Sequence, residues 1–291
     1  YLAQLESFLR EQGLLGMSYY EMFDEAGHDL KNWRDMVAHH ELVAQVAPGL
    51  ISMQYGPRPL AQQYGGVKPL GYCDNWAPNL CTALRGQFGP SGEELWNTIK
   101  ARRTQFGEKA FFYSPGGSLN PTLSGPRLTA RLLPWVARKL DADGFLLYML
   151  GGVQETPRKR ELSAYWPNTA WADTSDGIHS KIYIDPEMNL IPSTRLANLR
   201  DGNEDYDYFT VLRKAGSYLD PEIPEQAQLL QRIAGELAVE DAIYASPDTW
   251  TKSRRLLEEK RDRMAAMINE VRALRMSRLE SLESQVEKAG N

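Results

Sequence analysis

Met17-Ser-Tyr-Tyr-Glu-Met-Phe-Asp-Glu-Ala-Gly-His28 is the stretch on which the reading turns. Its first part is an apolar and aromatic run of strand length. It then breaks at two adjacent carboxylates, Asp24 and Glu25, and a glycine turn at Gly27. Two acids at a strand end suit proton transfer, because two nearby carboxylates resist ionising together and one pKa rises. The bland alternative is an acidic cluster at a helix start, stabilised by the backbone dipole and unpaired N–H groups.

Working outward, the pattern alternates between strand and helix. Leu2, Leu5, Phe8, Leu9 and Leu14 recur at helical spacing before Met17. Residues 29–46 read as a helix stopped by Pro48-Gly49, and 50–55 as a strand. Arg58–Tyr64 reads as a short helix and Val67–Tyr72 as a strand ending at Asp74-Asn75-Trp76. Ser91 with Glu94 forms a capping box for a helix to Phe106. Lys109–Tyr113 is a strand, Leu128–Leu140 a helix bent at Pro134, and Gly144–Leu150 a buried strand. Ile178–Ile184 suits a further strand and Ser193–Leu212 a helix. The chain after Pro221 reads as helical to its end.

Such alternation means α/β, either doubly wound or a (β/α) barrel. The barrel is favoured because Asp24, Glu25, Asp74, Trp76, Tyr113 and Tyr148 all fall at or just past strand ends, the face on which barrel active sites lie. The expectation is a partial (β/α)8 TIM-type barrel in which strands four to eight are visible and an N-terminal barrel segment is missing. The barrel region is assigned to residues 1–215 and a helical C-terminal extension to 216–291.

Bulk properties narrow the function classes. A formal net charge of -5 argues against a nucleic-acid partner, since phosphate-binding domains carry a basic excess. No apolar run reaches the ~20 residues of a membrane span. Cys73 and Cys81 are consistent with a disulfide, and their short spacing across a loop suits two buried free thiols better. The four histidines show no metal-ligand spacing, and the adjacent His39 and His40 read as a solvated or partly packed pair. No metal or cofactor is expected.

Several segments together resemble one family: Tyr19–Glu25, Leu70–Trp76, Asp143–Tyr148, Ser175–Tyr183, and above all Ser193-Thr-Arg-Leu-Ala-Asn-Leu-Arg-Asp-Gly-Asn-Glu-Asp-Tyr-Asp-Tyr208. They resemble the catalytic region of glycoside hydrolase family 123, which overlaps the group called domain of unknown function 4091. The likeness runs over roughly residues 5–270. The family pattern has Pro where this chain has Ala26, Gly where it has Ser175, and Trp where it has Tyr148.

The resemblance implies a retaining β-N-acetylgalactosaminidase acting through substrate assistance, with a glycan as substrate and export from the cell. It implies Glu25 as general acid/base and Asp24 as the group that orients and stabilises the substrate acetamide. Asp74, Trp76, Tyr113, Tyr148, Trp166, Asp176 and Arg195 are the candidates for holding the sugar. Arg200, Asp201, Glu204 and Asp205 read as structural ion pairs. Two other outcomes stay open: a carbohydrate-binding barrel without turnover, and a glycosidase for a different sugar.

Overall fold

The computed structural model describes residues 1–21, 30–55, 74–79, 92–113, 119, 121, 125–147, 181–184 and 189–289. Helix α1 (Leu2–Glu11) lays Leu2, Leu5 and Leu9 on Val43, Ala47 and Leu50. The helix ends where Gly13 takes a left-handed turn, φ +68°. The Glu6 carboxylate, midway along the helix, ties it to the turn at Gly49. It accepts the Gly49 N–H at 3.1 Å and pairs with Arg10, which holds its carboxyl below the usual carboxylate range.

Strands β1 (Tyr20–Glu21), β2 (Ser52–Tyr55), β3 (Asn75–Ala77), β4 (Lys109–Tyr113) and β5 (Gly144–Leu146) form one sheet in the order β1-β2-β3-β4-β5. Every neighbouring pair is parallel. Helices α2 (Leu30–Val46), α3 (Gly92–Phe106) and α4 (Thr129–Leu140) lie between successive strands in the chain. The strand order follows the sequence without reversal. With right-handed crossovers, such winding sends the connecting helices to one face, whereas a doubly wound sheet reverses its order at a switch point. The protein is therefore α/β with a five-stranded parallel sheet, and among the described residues that sheet is not closed.

The register sorts the side chains into two faces. Tyr20, Ser52, Gln54, Trp76, Ala110, Phe112 and Phe145 share the face turned to the helices. There Tyr20 stacks on His39 at 6.3 Å, Gln54 meets His40, and Trp76 lies beneath Arg102 of α3. Glu21, Met53, Tyr55, Asn75, Phe111, Tyr113 and Leu146 share the other face.

One expectation needs correction here. The strand beside β2 is Asn75–Ala77, so Asp74 stands before a strand and not at the end of one; the expected strand at 67–72 and helix at 58–64 lie outside the described residues, as do Cys73 and Cys81. The strand expected near Ile184 is present as β6 (Ile182–Ile184), apart from the parallel sheet. It pairs antiparallel with β7 (Leu190–Pro192).

Ser193 then caps α5 (Thr194–Gly216), its hydroxyl accepting the Leu196 N–H at 3.2 Å. After α6 (Pro224–Glu236) the chain is not wholly helical. A hairpin of β8 (Tyr244–Ser246) and β9 (Thr249–Trp250) turns through Pro247-Asp248 before α7 (Arg254–Ala289). One core runs through all of this, from Trp76, Phe112 and Trp135 to Phe209, Leu212, Ile233, Leu257 and Met264. It joins residues on both sides of the 215/216 boundary. Arg138 and Lys139 at the end of α4 reinforce the join, donating to the carbonyl oxygens of Leu237 (3.0 Å) and Val239 (2.7 Å).

Candidate functional site

In an open parallel sheet the carboxyl ends of the strands are the natural place for a ligand. At that edge β2 ends in Tyr55 and β4 in Tyr113, on the face away from the helices. The two rings meet edge to face, centroids 5.8 Å apart at 76°. The Tyr55 hydroxyl donates to the Tyr19 hydroxyl at 3.3 Å, and Glu21 lies on the same face one strand over. Both tyrosines of the pair are half-buried, so ring surface remains available to a ligand. Tyr113 thus stands where strand-end reasoning put it. Tyr55 was missed, although it closes the run 50–55 and the same rule would have found it.

Asp24 and Glu25 lie outside the described residues, as do Tyr148, Trp166 and Asp176. In the sequence Asp24 comes three positions after Glu21, the last residue of β1.

Asp74 and Trp76 are not at a carboxyl edge. Because β3 begins at Asn75, Asp74 stands at the amino end of that strand. Its Oδ2 accepts from the backbone N–H of Ser52 at 2.8 Å and from the Ser52 hydroxyl at 3.0 Å, while its own N–H donates back to Ser52 Oγ at 3.1 Å. It laces the starts of β2 and β3 together. Trp76 is fully buried on the helix face, its indole N–H donating to Glu108 Oε2 at 2.7 Å. Arg102 completes that buried group, bidentate to Glu108 at 2.7 and 2.5 Å. A ring so enclosed packs the core and offers no face to a sugar.

Arg195, in the first turn of α5, is also buried. Its Nη1 donates to the carbonyl oxygen of Pro121 at 3.1 Å, which ties α5 to the segment following β4. The cation is held although the first turn of a helix disfavours one.

The long signature around residue 200 has a packing explanation. Arg200 pairs with Asp201 at 2.7 Å and with Glu204 at 3.6 Å, at the surface. Asp205 is fully buried against α4. A Cβ added at Gly202 would lie 2.4 Å from the Arg131 carbonyl oxygen, so only glycine permits this approach of α5 to α4.

His40 differs from the solvated or partly packed pair that was expected. It is 2% exposed, with Nε2 3.3 Å from Gln54 Oε1. Burial lowers its pKa, partly offset by the hydrogen bond with Gln54, with weaker opposing effects from His39, which lowers it, and Asp74, which raises it. The imidazole lies under the sheet against Gln54, where it packs the helix face.

Among the described residues no group of three or more His, Cys, Asp or Glu is placed to hold a metal ion. Among them, too, no helix is long and apolar enough to cross a membrane. No family model matches the chain, and no curated protein matches it.

Proposed function

We propose that this chain is the catalytic region of a glycoside hydrolase of the family 123 kind, built on a (β/α) barrel, that removes a terminal β-linked N-acetylhexosamine. The observation that carries the reading is the sequential, all-parallel strand order, the winding of a (β/α) barrel, together with a sequence that runs from β1 directly into Asp24-Glu25. The aromatic pair Tyr55–Tyr113 on the same sheet edge supports it, because sugar rings dock on exposed aromatic faces.

In this reading the substrate's acetamido oxygen attacks the anomeric carbon while the glycosidic C–O bond breaks. Glu25 gives its proton to the leaving oxygen. Asp24 stays charged and stabilises the acetamide nitrogen as positive charge develops. Water then opens the oxazolinium ion at the anomeric carbon, and Glu25 takes a proton from it. Substrate assistance removes the need for a protein nucleophile ~5–5.5 Å from the acid. Adjacent carboxylates favour one neutral and one charged member, which fits the two roles.

The test is release of chromophore from an aryl N-acetyl-β-galactosaminide by the complete protein and by Glu25→Gln. Loss of turnover with retained glycan binding supports the assignment. Full activity in Glu25→Gln refutes it, and glycan binding without turnover in the parent protein replaces it with a binding role.

A further inference from the structure

Pairing between β3 and β4 runs past Ala77, the last residue of β3. The Tyr113 N–H donates to the Pro78 carbonyl oxygen at 3.1 Å, and Asn79 bridges Tyr113 in parallel register. Pro78 has no N–H to give back, so the ladder thins here without parting. Alternation puts Ala77 and Asn79 on one face. It is the face of Tyr55, the register partner of Ala77, and of Tyr113, the partner of Asn79.

Tyr55 and Tyr113 stand two strands apart, about 9–10 Å at ordinary strand spacing. Their ring centroids are nonetheless 5.8 Å from each other. The rings close over the strand between them, where Ala77 offers only a methyl group and is fully buried. A larger side chain at 77 would hold them apart. Ala77 and the two rings make an aromatic floor, and Asn79 is the next residue on that face toward the carboxyl edge. The row through Tyr113 reads Asn79, Tyr113, Leu146, and Asn79 is half-buried.

A sugar laid on an aromatic surface keeps its hydroxyls around its rim, each one a donor and an acceptor. The asparagine amide has a matching pair of functions, a carbonyl oxygen that accepts and an NH2 that donates. It can therefore hold two neighbouring hydroxyls at once. Ring faces cannot do this, and the Tyr55 hydroxyl already donates to Tyr19. Sites of this kind take orientation and selectivity from a few placed polar groups beside an apolar surface.

We infer that Asn79 is a substrate-binding residue, which holds two adjacent hydroxyls of the sugar lying on the Tyr55–Tyr113 floor. The inference rests on the glycoside hydrolase reading of the same sheet edge.

A cycle between residue and substrate tests it on the complete protein. kcat/KM is measured for an aryl N-acetyl-β-galactosaminide and for each of its monodeoxy forms, with the parent protein and with Asn79→Ala. Asn79→Ala is expected to lower kcat/KM on the full sugar by about tenfold, mostly through KM. Removing a hydroxyl that Asn79 holds is expected to cost the parent several-fold and the variant almost nothing, the non-additivity that marks a direct contact. Asn79→Asp keeps the acceptor and loses the donor, and is expected to stay sensitive to one of the two hydroxyls. Urea midpoints near the parent's show that the variants keep the fold. Asn79→Ala with the parent's KM overturns the inference, and so do deoxy forms that cost parent and variant alike. If the parent binds the sugar without turnover, the hydrolase reading falls, and the same cycle read as dissociation constants by calorimetry still decides Asn79. A parent that neither binds nor cleaves overturns both.

Discussion

Arg131 and Asp205, 74 residues apart in sequence, face each other in the contact between α4 and α5. Arg131 Nε donates to Asp205 Oδ2 at 2.7 Å and Nη2 to Oδ1 at 3.0 Å. Their side chains are 1% and 0% exposed. Trp135 Nε1 donates to the same Oδ2 at 3.0 Å, and Arg261 of α7 approaches Oδ1 at 3.5 Å. One carboxylate thus gathers three elements. Removing one partner of a buried pair leaves an uncompensated charge and costs about 3–5 kcal/mol. Asp205→Asn is expected to lose that much in urea unfolding. Arg200→Ala, which breaks pairs at the exposed Arg200, is expected to lose within about 1 kcal/mol.

Gly202 sets the distance between the same helices. Alanine is the better helix former by about 1 kcal/mol, so an exposed Gly→Ala change in α5 would stabilise. At Gly202 the new methyl meets backbone, which cannot swing aside. Gly202→Ala is expected to reverse that sign and destabilise by about 1–3 kcal/mol, as overpacking does, read as a lower denaturant midpoint at unchanged slope.

Trp76 and Tyr113 were both candidates for holding a sugar, and their positions now separate them. Trp76→Phe removes an indole donor from the buried Glu108 and is expected to cost about 1–3 kcal/mol of stability. It should leave kcat/KM on the aryl hexosaminide unchanged. Tyr113→Ala, at the carboxyl edge beside Tyr55, is expected to raise KM several-fold while the unfolding curve moves little. The opposite pairing of effects would return Trp76 to the site.

His40 gives the fold an acid sensitivity of defined sign. Its ordinary pKa is 6.5, and burial lowers that in the folded protein. As pH falls through 6.5, the unfolded chain takes up the proton first, so stability declines from there down to the folded value. The limiting slope for one proton is about 1.36 kcal/mol per pH unit. His39 is lowered by burial as well and adds in the same direction. His40→Gln is expected to flatten the pH dependence of stability below 6.5 relative to the parent, measured by denaturation at a series of pH values.

The parts of the fold that were legible in the sequence are those where one signal dominates. Lys109–Tyr113 and the helix from Thr129 were readable because apolar spacing and flanking breakers agree. The Ser193 cap was readable because its hydroxyl needs only the next turn. β3 was not. Asn75 and Ala77 are poor strand formers; Asn75 is held by its parallel neighbours Met53 and Lys109 and Ala77 by Tyr55, which a local window does not see. Reading Asp74-Asn75-Trp76 as the end of a strand, where β3 in fact begins at Asn75, moved Asp74 from the amino edge of the sheet to the supposed carboxyl edge. The β8–β9 hairpin was missed for its brevity, although Ser246-Pro247-Asp248 carries a turn signature.

The sequential winding also bears on how the chain emerges from the ribosome. Each sheet strand pairs with the one made just before it, so the sheet can grow in step with synthesis. Helix α4 has no such luck. Arg131 and Trp135 wait for Asp205, which is translated 74 and 70 residues later. At about 5–20 residues per second that delay is roughly 4–15 s. During it a guanidinium and an indole meant for the interior sit bare on the nascent chain, an opening for chaperone capture before the later helices arrive.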